Sequence, residues 1–413
     1  MKSTVLIIGF VFPEPNSSAA GTRMLQLIHF FISQNYTIVF ATSCKKSDNA
    51  FDLSTLNIQI VEILLNDSSF DSFVNELNPA IVLFDRFMTE EQFGWRVAQS
   101  CPNALRILDT EDLHFLRKAR QKAFTTNQSI ENLLFTSDTS KRELASIYRS
   151  DLSLVISEVE MGLLTEKFKI DPAILYYLPF MIDAIDSHSQ TDSKPYADRS
   201  DFVSIGNFLH LPNLDMVRYL KKDIWPKIRR ELPRVKLHIY GAYDSANIKE
   251  MHNEFEGFLV HGYVIDAFEA ITATKVLLAP LRFGAGLKGK LIQAMQCGTP
   301  CVMSIVAAEG MFGLDDPNGV IENDSSLFVQ KCIELYTKES LWSNYQKKGF
   351  AVIENRFSKK EHHLNLKDRI SLLSSTIKSH RSNNFIGQLL AYHQFQSTKY
   401  MSRWIEEKNA NSK

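Results

Sequence analysis

The 413-residue sequence is short of features that would fix its chemistry at a glance. It holds five cysteines, Cys44, Cys101, Cys297, Cys301 and Cys332, an odd and scattered set without metal-ligand spacing. Cys297 and Cys301 flank Gly-Thr-Pro, and zinc there would need two further ligands that the sequence does not offer. They read as small buried residues, and the set as reduced thiols of a cytoplasmic protein. No apolar run approaches the ~18 residues of a membrane-spanning helix. The run from Val5 to Phe12 is short for a signal peptide and reads as a first buried strand. Formal charge is −1, from 46 basic and 47 acidic residues, so nothing draws the whole chain to nucleic acid. Any anion site has to be local. Low-complexity tracts and solenoid-period repeats are missing as well.

What is present is ordinary globular composition, 45% hydrophobic and 23% charged, at about twice the usual domain length. Short apolar runs alternate with longer amphipathic ones. "TVLIIGF", "YTIVFAT", "IQIVEIL", "AIVLFD", "ALRILD", "DLSLVIS" and "ILYYLPF" read as strands. Met24, Leu27, Ile28, Phe31 and Ile32 keep helical spacing, and further helices are predicted near 69–78 and 90–100. Strands buried on both faces and alternating with helices predict a doubly wound parallel sheet. Residues 185–201 lose apolar content and read as a linker. The rhythm then restarts with "DFVSIGNF", "RVKLHIYGAY", "GFLVHGY", "KVLLAPL" and "PCVMSI", a second α/β domain. Helices follow at 325–338, 340–354 and 359–379, then an aromatic-bearing tail that reads as packed on the body.

Two stretches carry chemistry. In "VLLAPLRFGAGLKGKLIQAMQCGTPCVM", a strand runs into Gly284 and Gly286, and a helix is expected from about Leu287. That puts Lys288 and Lys290 in its first turn, where cations oppose the macrodipole by about 0.3–1 kcal/mol each. A phosphate between dipole and lysine would resolve the conflict; two solvated lysines are the alternative. The G-x-x-x-x-G-K-[ST] pattern is absent. In the first half, Ala20-Gly21 opens a helix whose free N–H groups can hold an anion, or merely carries Ser and Thr caps. "LDTEDLHFLRKAR" sets Asp109, Glu111, Asp112 and His114 beyond a buried strand. They form a cleft cluster, or a capping cluster with Asp112 as N-cap and Arg117 and Arg120 solvated.

"SIGNFLHLPNLDMVRYLKKDIWPKIRRELPRVKLHIYGAY", "APLRFGAGLKGKLIQAMQCGTPCV" and "AAEGM" together resemble the donor-binding half of retaining, nucleotide-sugar-dependent glycosyltransferases of family 4. "DTEDLHFLRKARQ" and "SLVISEVEMGLL" resemble segments of the acceptor half. The resemblance spans roughly residues 1–375 and implies the GT-B fold, two Rossmann-like domains facing a cleft. Domains are then expected at 1–186 on the acceptor side and 202–358 on the donor side, with C-terminal helices over 359–413. Gly21, Gly206, Asn207, Gly286, Lys288 and Gln293 are implied as donor contacts, and His114, Asp112 and Glu309 as catalytic. The implied partners are a nucleoside diphosphate sugar and an acceptor that is a glycan, lipid or small molecule. No nucleic acid, no cofactor and no obligatory metal ion are expected, and room is left for peripheral membrane contact. Two positions where relatives often carry glutamate hold Ala285 and Gln293, and the basic pair after the first donor strand is replaced by "NFLHLPN". The alternative is therefore a catalytically weak GT-B module that binds nucleotide sugar or a protein partner.

Overall fold

A computed structural model of the chain describes residues 2–185 and 194–410. The expected linker over 185–201 falls partly, and the last three tail residues wholly, outside them. Among the described residues thirteen strands build two parallel sheets. The first comprises β1 (Thr4–Gly9), β2 (Thr37–Thr42), β3 (Gln59–Glu62), β4 (Ile81–Asp85), β5 (Leu105–Asp109), β6 (Leu152–Val155) and β7 (Leu175–Tyr177), in the order β3-β2-β1-β4-β5-β6-β7. The second comprises β8 (Ser200–Ile205), β9 (Leu237–Tyr240), β10 (Phe258–Gly262), β11 (Thr274–Ala279), β12 (Cys301–Met303) and β13 (Gly319–Ile321), in the order β10-β9-β8-β11-β12-β13.

Alternation along each strand explains the double winding. In β1, Val5 and Ile7 enter one core with Phe40 of β2 and Leu83 of β4. Leu6 and Ile8 enter the opposite core with Val39, Ala41, Val82 and Phe84. A strand whose side chains alternate between two apolar layers must be covered by helices on both faces. Both sheets reverse their winding direction beside their first strand, between β1 and β4 and between β8 and β11. In open parallel sheets a crevice opens at that reversal, beyond the strands' carboxyl ends.

The expected strands are all present, and one more, β13, joins the second sheet. At three residues it carried too little pattern to be read. The helix Arg86–Ser100 starts four residues before its expected onset, with its first residue, Arg86, at φ +70°. The helix Lys359–Asn383 returns to the first domain, placing Leu366, Ile370 and Leu373 in the core of β1 and β5. Beyond it the helix Phe385–Ala410 packs on the helices Arg86–Ser100 and Asp138–Arg149, so the tail does lie on the body. Among the described residues no helix is long and apolar enough to cross a membrane, and no group of three or more His, Cys, Asp or Glu has metal-site geometry.

Candidate active site

The carboxyl ends of the two sheets face each other across a cavity of about 860 Å³. Its lining includes Gly21, Asp112, His114, Gly206, Asn207, Gly286, Lys288 and Gln293. Glu309 does not line it. Instead Glu309 takes two 2.7 Å hydrogen bonds from Arg120, whose guanidinium also donates to the Gly284 carbonyl at 2.8 Å. Glu309 therefore reaches the glycine loop through an arginine of the other domain.

The glycine loop differs from expectation in one respect. The helix begins at Gly289, with Lys288 as its N-cap, two residues later than the pattern suggested. Gly286 has φ of +64° and Gly284 +156°, conformations that keep the chain out of helix until Lys288. Lys288 Nζ folds back to donate to the carbonyls of Ala285 at 3.0 Å and Gly286 at 2.5 Å. Lys290 Nζ donates to Asn213 Oδ1 at 2.8 Å. Among the described residues neither ammonium has a carboxylate within ion-pair distance. Burial depresses both, Lys288 to about 8 with Glu309 and Glu160 opposing, and Lys290 to about 7 with the charge of Lys288 adding to the effect.

The glycines also serve domain contact. A Cβ on Gly286 would lie 2.8 Å from Cβ of Asp112, and one on Gly289 2.8 Å from Cβ of Ala19. Ala285 is itself buried in the apolar cluster of the first domain, with Leu113 and Leu164. An apolar residue suits that place. Gly206 has a local reason: Asn213 lies over it, a Cβ there would come within 2.6 Å of its side chain, and Asn213 Nδ2 bonds the Asn207 carbonyl at 2.9 Å. Asn213 thus ties the turn at Gly206-Asn207 to Lys290.

In the first domain, Asp112 is not an N-cap; the helix His114–Thr126 is preceded by Leu113. Asp112 pairs with Arg117 and lies 3.6 Å from His114 Nε2. Burial works against the Asp112 carboxylate, but Arg117, His114 and His210 together hold its pKa well below the usual range. Burial pushes His114 down to about 3 despite Asp112, so its imidazole is neutral at physiological pH, edge-on to Phe87. Gly21 sits beneath a folded loop: a Cβ would strike the Glu14 backbone, and its N–H is already taken by Ser18 Oγ at 3.0 Å. One N–H of the first helix start is thereby used by its own cap, and Tyr243 of the other domain donates to Glu14 across the mouth at 2.8 Å.

Two buried carboxyls escaped sequence reasoning. Glu143 accepts from the N–H groups of His114 at 3.1 Å and Phe115 at 2.8 Å, capping that helix from a distance of 29 residues in sequence. Glu160 accepts from Leu113 N–H at 3.2 Å and from Gly286 N–H, in the other domain, at 2.8 Å. Burial raises Glu143 to about 8 and Glu160 to about 7, with Asp112 adding to each. Both bonds span distant segments, and a lone Glu on a helix face signals nothing locally.

A family model described as glycosyl transferases group 1 matches residues 199–338, the donor-side half of this geometry. No curated protein sequence matches the chain. Among solved structures, a sucrose-phosphate synthase from Thermosynechococcus elongatus superposes with TM-score 0.69 at 13% identity, covering 91% of this chain and 100% of that one. HepE of Anabaena in complex with UDP and glucose gives 0.62 at 11% identity, covering 89% and 99%. The pneumococcal O-GlcNAc transferase GtfA in complex with UDP and GlcNAc gives 0.63 at 12%, covering 90% and 99%. At these identities the likeness is one of fold, and that fold is GT-B.

Proposed function

We propose that the protein is a family 4 glycosyltransferase that takes a sugar from a nucleoside diphosphate and transfers it with retention of configuration. The observation that carries this reading is the pair of buried Lys288 and half-buried Lys290 at a helix start in an interdomain cavity, with no carboxylate within ion-pair distance of either among the described residues. Two desolvated ammonium groups there cost free energy until an anion arrives. A diphosphate would meet both cations and the open end of the helix Gly289–Gln296, and the same contacts would stabilise charge on the leaving group. Gly206 and Asn207 would approach the phosphates, and the Gln293 amide the ribose hydroxyls. On the opposite wall neutral His114 would hydrogen-bond the transferred sugar, with Asp112 orienting it, and Glu309 would act through Arg120 on the glycine loop.

The match to glycosyl transferases group 1 supports the donor side, and the UDP named with two structures of like fold suggests a first nucleotide to try. The test is a melting-temperature series with UDP, GDP, ADP and their common sugars. Ligand at a hundred times its dissociation constant is expected to stabilise by about 2.7 kcal/mol. Anomer-resolved NMR of the product then reads retention. No shift with any nucleotide would overturn the reading. A shift without transfer would favour the catalytically weak module, for which Ala285 and Gln293 speak.

A further inference from the structure

Residues 157–160 read Ser-Glu-Val-Glu, the S-x-x-E pattern in which serine and glutamate satisfy each other's backbone N–H groups at a helix start. The helix Glu158–Gly162 does begin after Ser157, yet the serine makes no side-chain cap bond. All three polar side chains turn to the second domain instead. A Cβ on Gly310 would lie 2.6 Å from Ser157 Oγ, Glu158 accepts from Arg356 at 2.6 Å, and Glu160 accepts from Gly286 N–H at 2.8 Å. A local rule given up in this way is expected where geometry between distant segments matters more than the helix end.

Glu160 is the deepest of the three, with none of its surface exposed. Its Oε1 takes both the Gly286 N–H and, at 3.2 Å, the Leu113 N–H. Its Oε2 has no hydrogen-bond partner among the described residues. Burying a carboxyl with one oxygen unanswered costs stability, so cohesion alone is a poor account of it.

The two N–H groups it joins belong to opposite walls of the cavity. Leu113 is the N-cap of the helix His114–Thr126, one residue before His114. Gly286 carries a carbonyl that accepts from Lys288 Nζ. One carboxyl oxygen thus stands between the residue proposed to meet the sugar and the residue proposed to meet the diphosphate. A second tie, from Arg120 to the Gly284 carbonyl and Glu309, is partly exposed and holds the outer end of the same loop.

We propose that Glu160 is a positioning residue for the transfer, fixing the register of the glycine loop against the start of the His114 helix so that donor and first wall meet in one geometry. The proposal rests on the glycosyltransferase reading above. Two measurements on the full chain test it. The first is hydrolysis of UDP-glucose or UDP-N-acetylglucosamine, with water as acceptor. Glu160→Ala is expected to lower kcat per folded molecule about thirty- to hundredfold, with donor KM within about threefold. Glu160→Gln keeps an acceptor oxygen and should restore most of the rate. The second needs no nucleotide and reads amide hydrogen exchange. Glu160→Ala should speed exchange about tenfold or more across the loop 284–288, beyond the two amides that lose their acceptor. Glu143→Gln, altered at a neighbouring cap within one domain, should leave that loop unchanged. If Glu160→Ala does not fold, Glu160→Asp, one methylene shorter, replaces it in both measurements. A lowered melting temperature with normal kcat, a rise in KM alone, or no rescue by Gln would overturn the proposal. So would faster exchange confined to Leu113 and Gly286, or matched by Glu143→Gln. No nucleotide binding by the wild type would count against the donor reading instead, and hydrogen exchange would still decide whether Glu160 sets the loop.

Discussion

The two walls of the cavity come from sheets of the same winding and carry opposite chemistry. The first-domain wall is rich in buried carboxyls, several pushed up by desolvation, around a neutral histidine. The second-domain wall offers two lysines pushed down by the same cause. Desolvation penalises both sets, but the remedies differ. Carboxyls of the first wall are partly satisfied within the protein, by Arg23, Arg86, Arg117 and backbone N–H groups. Among the described residues the lysines of the second wall are answered by carbonyl and amide oxygens and, for Lys290, the Met216 thioether. One wall answers its charges with arginines and backbone N–H groups; the other leaves its two ammonium groups to neutral acceptors, the contrast on which the donor proposal rests.

The sharpest way to break this contrast is His114→Ala. If the first wall acts on the transferred sugar, kcat should fall by about 10²–10³ with nucleotide affinity preserved, since the proposed phosphate contacts lie on the second wall. Because His114 is neutral well below physiological pH, the wild-type rate should show no histidine step from this residue between pH 5 and 8. Loss of melting temperature with normal turnover per folded molecule would make His114 a packing residue.

Next in size is Gly286→Ala, which attacks the seam between the walls. The new methyl would meet Asp112 at 2.8 Å from a backbone at φ +64°. A misplacement of about 1 Å there is expected to lower transfer about a hundredfold, with about 1–3 kcal/mol lost from stability. A variant with wild-type activity would show that the domains need not close at this loop.

Nucleotide affinity sharpens the contrast from the other side. Lys288→Ala is expected to weaken binding roughly ten- to hundredfold, and Lys290→Ala less, since Lys288 lies at the helix start itself. Binding an anion raises a lysine pKa, so UDP should bind with proton uptake above about pH 7, where Lys290 begins to lose its charge. Affinity should therefore decline as pH rises from 7 to 9. Calorimetry in buffers of differing ionisation enthalpy reads the proton directly; zero uptake at pH 8 would refute it.

The smallest expected effect concerns Glu143 and Glu160. Their folded values, about 8 and about 7, lie above the ordinary 4.5, so the folded state holds those protons more tightly. Their contribution is complete below about pH 4.5 and fades as pH rises through 7 to 8. Glu143→Gln should flatten the loss of stability over that window, by at most about 1.4 kcal/mol per pH unit. Parallel melting profiles for variant and wild type would disprove the assignment.

By itself the sequence determined both sheets' strands, except short β13, because alternating burial leaves an unbroken apolar run in every central strand. The loops that meet at the cavity were equally legible, since a strand ending in Gly, Asn, Asp or Glu before a helix is a local pattern. What Lys288 does was not. Its place as N-cap depends on the glycine dihedrals, and its hydrogen bonds follow from the same turn. Glu160, Glu143, Asn213 and the pairing of Arg120 with Glu309 were decided only by tertiary structure, because each joins segments from 29 to 189 residues apart or binds backbone that no side-chain pattern marks. Glycine at 286 was visible as a turn former, yet its close approach to Asp112 needs both domains folded and apposed. Periodicity is a property of neighbours in the chain, whereas desolvation and hydrogen bonding are properties of neighbours in space.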